Sequence, residues 1–195
     1  MKTLLRITLA VTVLISLSFI PKSKKTIILD VGHGGMDLGS IHDGLSEKDI
    51  VLSIAKKVQD LNSDKKLDII LTRDVDHFVS LNDRVQFANG KTPDFLLSLH
   101  ANYTSKADVN GFKIYVKENF LTDESLLFAN AIEYEYPSEI EKRATKTARF
   151  HVLKNSTCPA ALLEVGFLSN ENDRNYLLSE EGQWEIAKAI YKALK

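Results

Sequence analysis

"IILDVGHGG", residues 27–35, runs from an unbroken apolar stretch through an aspartate to a histidine with glycine on both sides. A short apolar run that ends at glycine reads as a strand buried on both faces, the kind found in parallel sheets. Open α/β sheets keep their ligands just beyond the carboxyl ends of such strands. His33 therefore stands where a functional residue belongs. Gly32, Gly34 and Gly35 around it allow positive φ and close approach of the backbone to a bound group.

Further strand-like runs follow at residues 67–72 ("LDIILT"), 94–100 ("DFLLSLH"), 111–117 ("GFKIYVK") and 160–165 ("AALLEV"). Helical patterns separate several of them. In "SEKDIVLSIAKKVQDLN" the apolar residues Ile50, Val51, Ile54, Ala55, Val58 and Leu61 share one face, and Ser46 with Asp49 three residues on marks the start. Ser80 with Asp83 repeats that signature, Asn170 caps a short helix toward Leu178, and "QWEIAKAIYKAL" forms the last helix. Strands alternating with helices predict an α/β fold with a largely parallel twisted sheet of five to six strands and helices on both faces. No linker divides residues 24–195, so one domain is expected there.

Residues 1–23 read differently. Lys2 and Arg6 precede the 14-residue apolar run "ITLAVTVLISLSFI", and lysines follow it. This is the order of a secretory signal peptide, and at about 1.5 Å per residue the run falls short of a bilayer core of roughly 30 Å. A signal peptide is expected, an uncleaved N-terminal anchor being the alternative and the sole membrane contact. Removing residues 1–25 takes five of the 25 basic side chains and none of the 26 acidic ones, leaving a net charge of about −6. That balance excludes a nucleic-acid binder. The single cysteine, Cys158, cannot form an internal disulfide, so an exported form relies on its core, and the thiol reads as structural.

Three strands end in residues that ligate metals or move protons: His33, His100 and Glu164. In parallel strands all three project toward one sheet edge, and Glu47, in the first turn of the first helix, lies close to it. Three protein ligands and an open position define a catalytic zinc site, and His2Glu is a known set. His33, Glu47 and His100 are thus assigned as ligands of one Zn2+ per chain, with Glu164 as general base. Arg73 and Arg84 are candidates to hold a substrate carboxylate, against salt bridges to Asp74, Asp76 or Asp83. Asn102 is a candidate to orient substrate or to cap a turn. Asp30 is a candidate partner for the outer N–H of a ligand imidazole. His42, His77 and His151 are expected on the surface, His42 near the cleft.

The segments "ILDVGHGGMDLGS", "GLSEKDIVLSIAKKV", "IILTRDVDHFVSLNDRVQFAN", "FLLSLHAN" and "PAALLEVGFLSN" together resemble the zinc-dependent N-acetylmuramoyl-L-alanine amidases, from about residue 24 onward. The resemblance implies the same three ligands and the same catalytic glutamate. It implies cleavage between the muramic acid of peptidoglycan and the first L-alanine of the stem peptide. It also implies an exported, periplasmic or cell-envelope enzyme, monomeric, with room for an activator protein. Leu38 stands where proline is common, Ala144 where glycine is usual, and Tyr103 where a small residue is usual. The alternatives are a zinc peptidase cutting within the stem peptide and a non-catalytic wall-binding or activator module. The absence of GxSxG, Walker, GxGxxG and HExxH patterns leaves serine-hydrolase, nucleotide-binding and thermolysin-like chemistries without residues.

Overall fold

The structure is a computed structural model and describes residues 24–118 and 121–195. The signal peptide or anchor expected at 1–23 lies outside the described residues. Among them, no helix is long and apolar enough to cross a membrane.

Strand β1 (Thr26–Val31) leads into a two-residue hairpin, β2 (Ile41–His42) and β3 (Leu45–Ser46), then helix α1 (Glu47–Leu61) and strand β4 (Asp68–Leu71). Helix α2 (Leu81–Gly90), strand β5 (Phe95–Asn102) and strand β6 (Lys113–Lys117) follow, then α3 (Thr122–Glu135) and β7 (Lys146–Ala148). The chain closes with α4 (His151–Asn155), β8 (Ala160–Phe167), α5 (Glu171–Leu178) and α6 (Glu180–Leu194). The six-stranded sheet has the order β4-β1-β5-β8-β6-β7. The β1, β4, β5 and β8 strands run parallel, and β6 enters antiparallel to β8.

Alternate residues of these strands feed two cores. Leu29, Val31, Leu97, Leu99, Leu163 and Val165 pack under α1, α3 and α6. Ile28, Leu96, Ala160 and Leu162 pack against Ala88 of α2 and Leu153 of α4. The second face is covered by shorter helices, and its carboxyl-terminal part is left open. Asp30, Ser98, His100 and Glu164 continue the alternation onto that open part, which is why polar residues appear there in otherwise apolar strands.

The expected strands and helix starts are found. Ser80 and Asn170 cap as expected, accepting from the N–H groups of Asp83 and Asp173. Ser46 is the N-cap of α1, but its hydroxyl bonds the Asp49 carboxylate instead of a backbone N–H. The elements α3, α4 and β7 were not anticipated. In α3, Leu126–Phe128 form one contiguous apolar block, so the period that reveals a helix is blurred.

Candidate active site

The loop after β1 carries His33 in the left-handed region, at φ +58°. This is an uncommon conformation for a side chain of its size, and the loop is held from several sides. Arg84 donates from Nη1 to Val31 O and from Nη2 to His33 O, each at 2.5 Å. Arg73 donates from Nε to Val31 O at 3.1 Å and from Nη2 to Gly32 O and Lys48 O at 2.8 Å. The glycines provide the room: a Cβ on Gly32 would stand 2.5 Å from the His100 ring, and one on Gly34 only 2.2 Å from His77 O.

Arg73 and Arg84 are 2% and 3% exposed, with their donors turned to the chain's own carbonyls. These bonds are the structural alternative to holding a substrate carboxylate, although Arg84 also lines the cleft. The Arg84 ion-pair partner is Asp30, at 2.9 Å, not Asp74, Asp76 or Asp83. Asp30 is committed to Arg84, Thr72 and Ser98, so it is not the partner of a ligand imidazole. Asp37 comes to that place by distance, its Oδ2 2.9 Å from His33 Nδ1, although the two are not aligned for a hydrogen bond. The signal was present as a carboxylate four residues beyond the histidine.

Glu47, in the first turn of α1, is 3% exposed. Its Oε1 lies 3.0 Å from His33 Nε2 and 2.8 Å from His100 Nδ1, and it accepts the Ala101 N–H at 3.0 Å. Its Oε2 accepts the Ser40 N–H at 2.9 Å. Burial alone would push this carboxyl up, but the hydrogen bonds from His100 and His33 outweigh it and hold Glu47 well below the usual carboxylate range. It is therefore ionised, as a metal ligand must be. One donor atom each from His33, Glu47 and His100 lie within 4.8 Å of one another, which suits a single ion. Two imidazoles and a carboxylate are a donor set zinc accepts.

Glu164 lies directly opposite His100 in the β5–β8 pair. Its Oε2 is buried with no hydrogen-bond partner among the described residues. Burial pushes its carboxyl up to about 7, so it exchanges a proton readily near neutrality. All four residues line a cleft of about 860 Å³ whose other wall carries Phe78, Leu81, Phe150 and Val152. Asn102 also lines the cleft, and its Oδ1 accepts the Tyr103 N–H at 2.8 Å, the turn-capping arrangement. His151 was expected on the surface but is half-buried in the cleft wall. His77 is exposed, and the His42 ring lies 6.1 Å from that of Tyr103 at the cleft rim. The Cys158 thiol is buried and pushed up to about 11 by that burial, as a structural thiol should be.

Residues 27–195 match the family model described as N-acetylmuramoyl-L-alanine amidase. The chain is 35% identical over 174 residues to the N-acetylmuramoyl-L-alanine amidase LytC of Bacillus subtilis, covering 88% of this chain but 35% of LytC. Its structure is similar to the catalytic domain of CwlV, an N-acetylmuramoyl-L-alanine amidase from Paenibacillus polymyxa, with a TM-score of 0.81 and 32% identity over 87% of this chain and 95% of that one. It is also similar to the CwlD amidase of Clostridioides difficile, solved in complex with the GerS lipoprotein, with a TM-score of 0.80 and 29% identity over 87% of this chain and 96% of that one.

Proposed function

Because this chain belongs to the family of N-acetylmuramoyl-L-alanine amidases, we propose that it is a zinc-dependent hydrolase of peptidoglycan. The bond cut is the amide between N-acetylmuramic acid and the L-alanine of the stem peptide. His33, Glu47 and His100 hold the metal. A zinc ion there supplies Lewis acidity, polarising a carbonyl and making a water more acidic.

Glu164 supplies the proton transfer. The observation that carries this role is its buried, unpartnered Oε2, opposite His100 and beside the ligand cluster. It takes a proton from the attacking water and returns it to the departing alanine nitrogen, a role suited to a carboxyl poised near neutrality. Asp37 lies against the outer nitrogen of the His33 ring, and Phe78, Leu81 and Phe150, partly exposed along the cleft, offer the substrate an apolar surface. Asn102, which lines the cleft, is the residue assigned to orient substrate in this reading.

Residues 24–195 act as the catalytic domain, and residues 1–23 deliver it to the cell envelope or anchor it there. The chain works as a monomer, and the complex of the CwlD relative with a lipoprotein supports a helper protein for this one. The test is Glu164→Gln, which should retain bound zinc while turnover falls by about a hundredfold to ten-thousandfold. Full activity in that variant would remove Glu164 from the mechanism.

A further inference from the structure

Among the described residues, Lys113 is a cation beside the proposed reacting centre that has no carboxylate within ion-pair distance. Lys113 faces Glu164 directly in the antiparallel β6–β8 pair, so the two side chains share the open face of the sheet. His100, Glu164 and Lys113 thus form one row across β5, β8 and β6, with neighbouring strands about 4.8 Å apart. The lysine is half-buried. No carboxylate lies within ion-pair distance of it among the described residues, and its Nζ rests 4.6 Å from the centre of the Tyr115 ring. Tyr115 in turn meets Phe150 edge-on at 5.0 Å, and Phe150 lines the cleft. Arg73 and Arg84 are spent on the β1 loop, and Lys48 on Gly35 O and Asp76.

From this placement, and resting on the amidase reading, we propose that Lys113 receives a carboxylate of the substrate's peptide half, borne by the residue after the L-alanine. Glu164 returns its proton to the alanine nitrogen, so the departing peptide lies over the Glu164 side of the row, away from His33. The next residue lies about 3.5 Å of chain beyond, and the ammonium, one strand past Glu164, meets a carboxylate there. An aromatic face holds an ammonium only weakly when water is near, so an incoming carboxylate gains a charge-assisted bond without breaking an existing ion pair. Lys113, just outside the residues that line the cleft, is accordingly the residue that makes the enzyme prefer acidic stem peptides over amidated ones.

The test compares two soluble substrates, N-acetylmuramoyl-L-alanyl-γ-D-glutamyl-L-lysinamide and its counterpart in which the glutamyl α-carboxylate is a carboxamide. The zinc-loaded wild type should prefer the acid. In Lys113→Met the ratio of kcat/KM for acid over amide should fall about tenfold, mostly through KM, as loss of a charge-assisted hydrogen bond implies. Lys113→Arg should restore much of the ratio. If Lys113→Met does not fold, Lys113→Gln carries the same comparison. A ratio unchanged by the substitution, with both substrates slowed alike, would overturn the proposal and reduce Lys113 to a neighbour of Glu164. A wild type that releases alanyl peptide from neither substrate would instead overturn the amidase reading and this inference with it.

Discussion

His33 carries its imidazole on a backbone at φ +58°, a conformation that costs of order 1–3 kcal/mol and persists because its surroundings fix it. The two buried arginines do so through the carbonyls of Val31, Gly32 and His33. His33→Ala should leave the purified protein with little zinc after dialysis, read by elemental analysis, and undiminished zinc would remove it as a ligand. Beneath the loop, burial pushes the Asp30 carboxyl up, but the Arg84 guanidinium, the Ser98 hydrogen bond and the nearby His100 together outweigh it and hold Asp30 below the usual range. Such a carboxylate contributes stability above its unfolded value near 3.9 and loses it as pH falls toward the lower folded value. Thermal melts should therefore drop on acidification below about pH 4, and Asp30→Asn should be less stable by about 3 kcal/mol at pH 7 with a shallower acid slope. Equal slopes in the two proteins would detach Asp30 from that loss. The four proposed site residues stand out in the sequence because each ends an apolar run or opens a helix. The arginines do not, since the partners through which they hold the β1 loop lie 25 to 54 positions away and local sequence records no such pairing.

The elements that position the site follow local rules. Ser80 at the start of α2 accepts the Asp83 N–H, and that helix carries Arg84 to the β1 loop. Ser80→Ala should cost about 1 kcal/mol in denaturant melts, and no measurable loss would show that tertiary packing alone fixes α2. The strands β1, β4, β5 and β8 were recognisable because burial on both faces makes each a compact apolar run. Helix α3 and strand β7 were not. The first presents a contiguous apolar block without helical spacing, and the second is a three-residue strand, Lys146–Ala148, with exposed residues that local propensity does not single out. Neither holds a residue of the proposed site, so the chemistry could be read although the layout was incomplete.

At the scale of the molecule, the parallel order β1-β5-β8 brings the ends of three strands together over one thinly covered face. A cleft there, lined by a His33–Glu47–His100 trio that could hold a metal ion and by apolar side chains, follows from the rule that open sheets bind at the carboxyl ends of their strands. The sheet order itself could not be deduced from the strands alone. Parallel strand ends sharing one edge were enough to expect His33, His100 and Glu164 together with Glu47 nearby, and the resemblance of ordered motifs to the amidases implied the same four residues. The central claim, hydrolysis of the muramoyl–alanine amide through these residues, is tested most directly by mass spectrometry of peptidoglycan digested with the zinc-loaded protein, with Glu164→Gln as control. Free stem peptides beginning at L-alanine together with peptide-free glycan, both missing from the control digest, are the result the account predicts. Shortened stems still attached to muramic acid would contradict it.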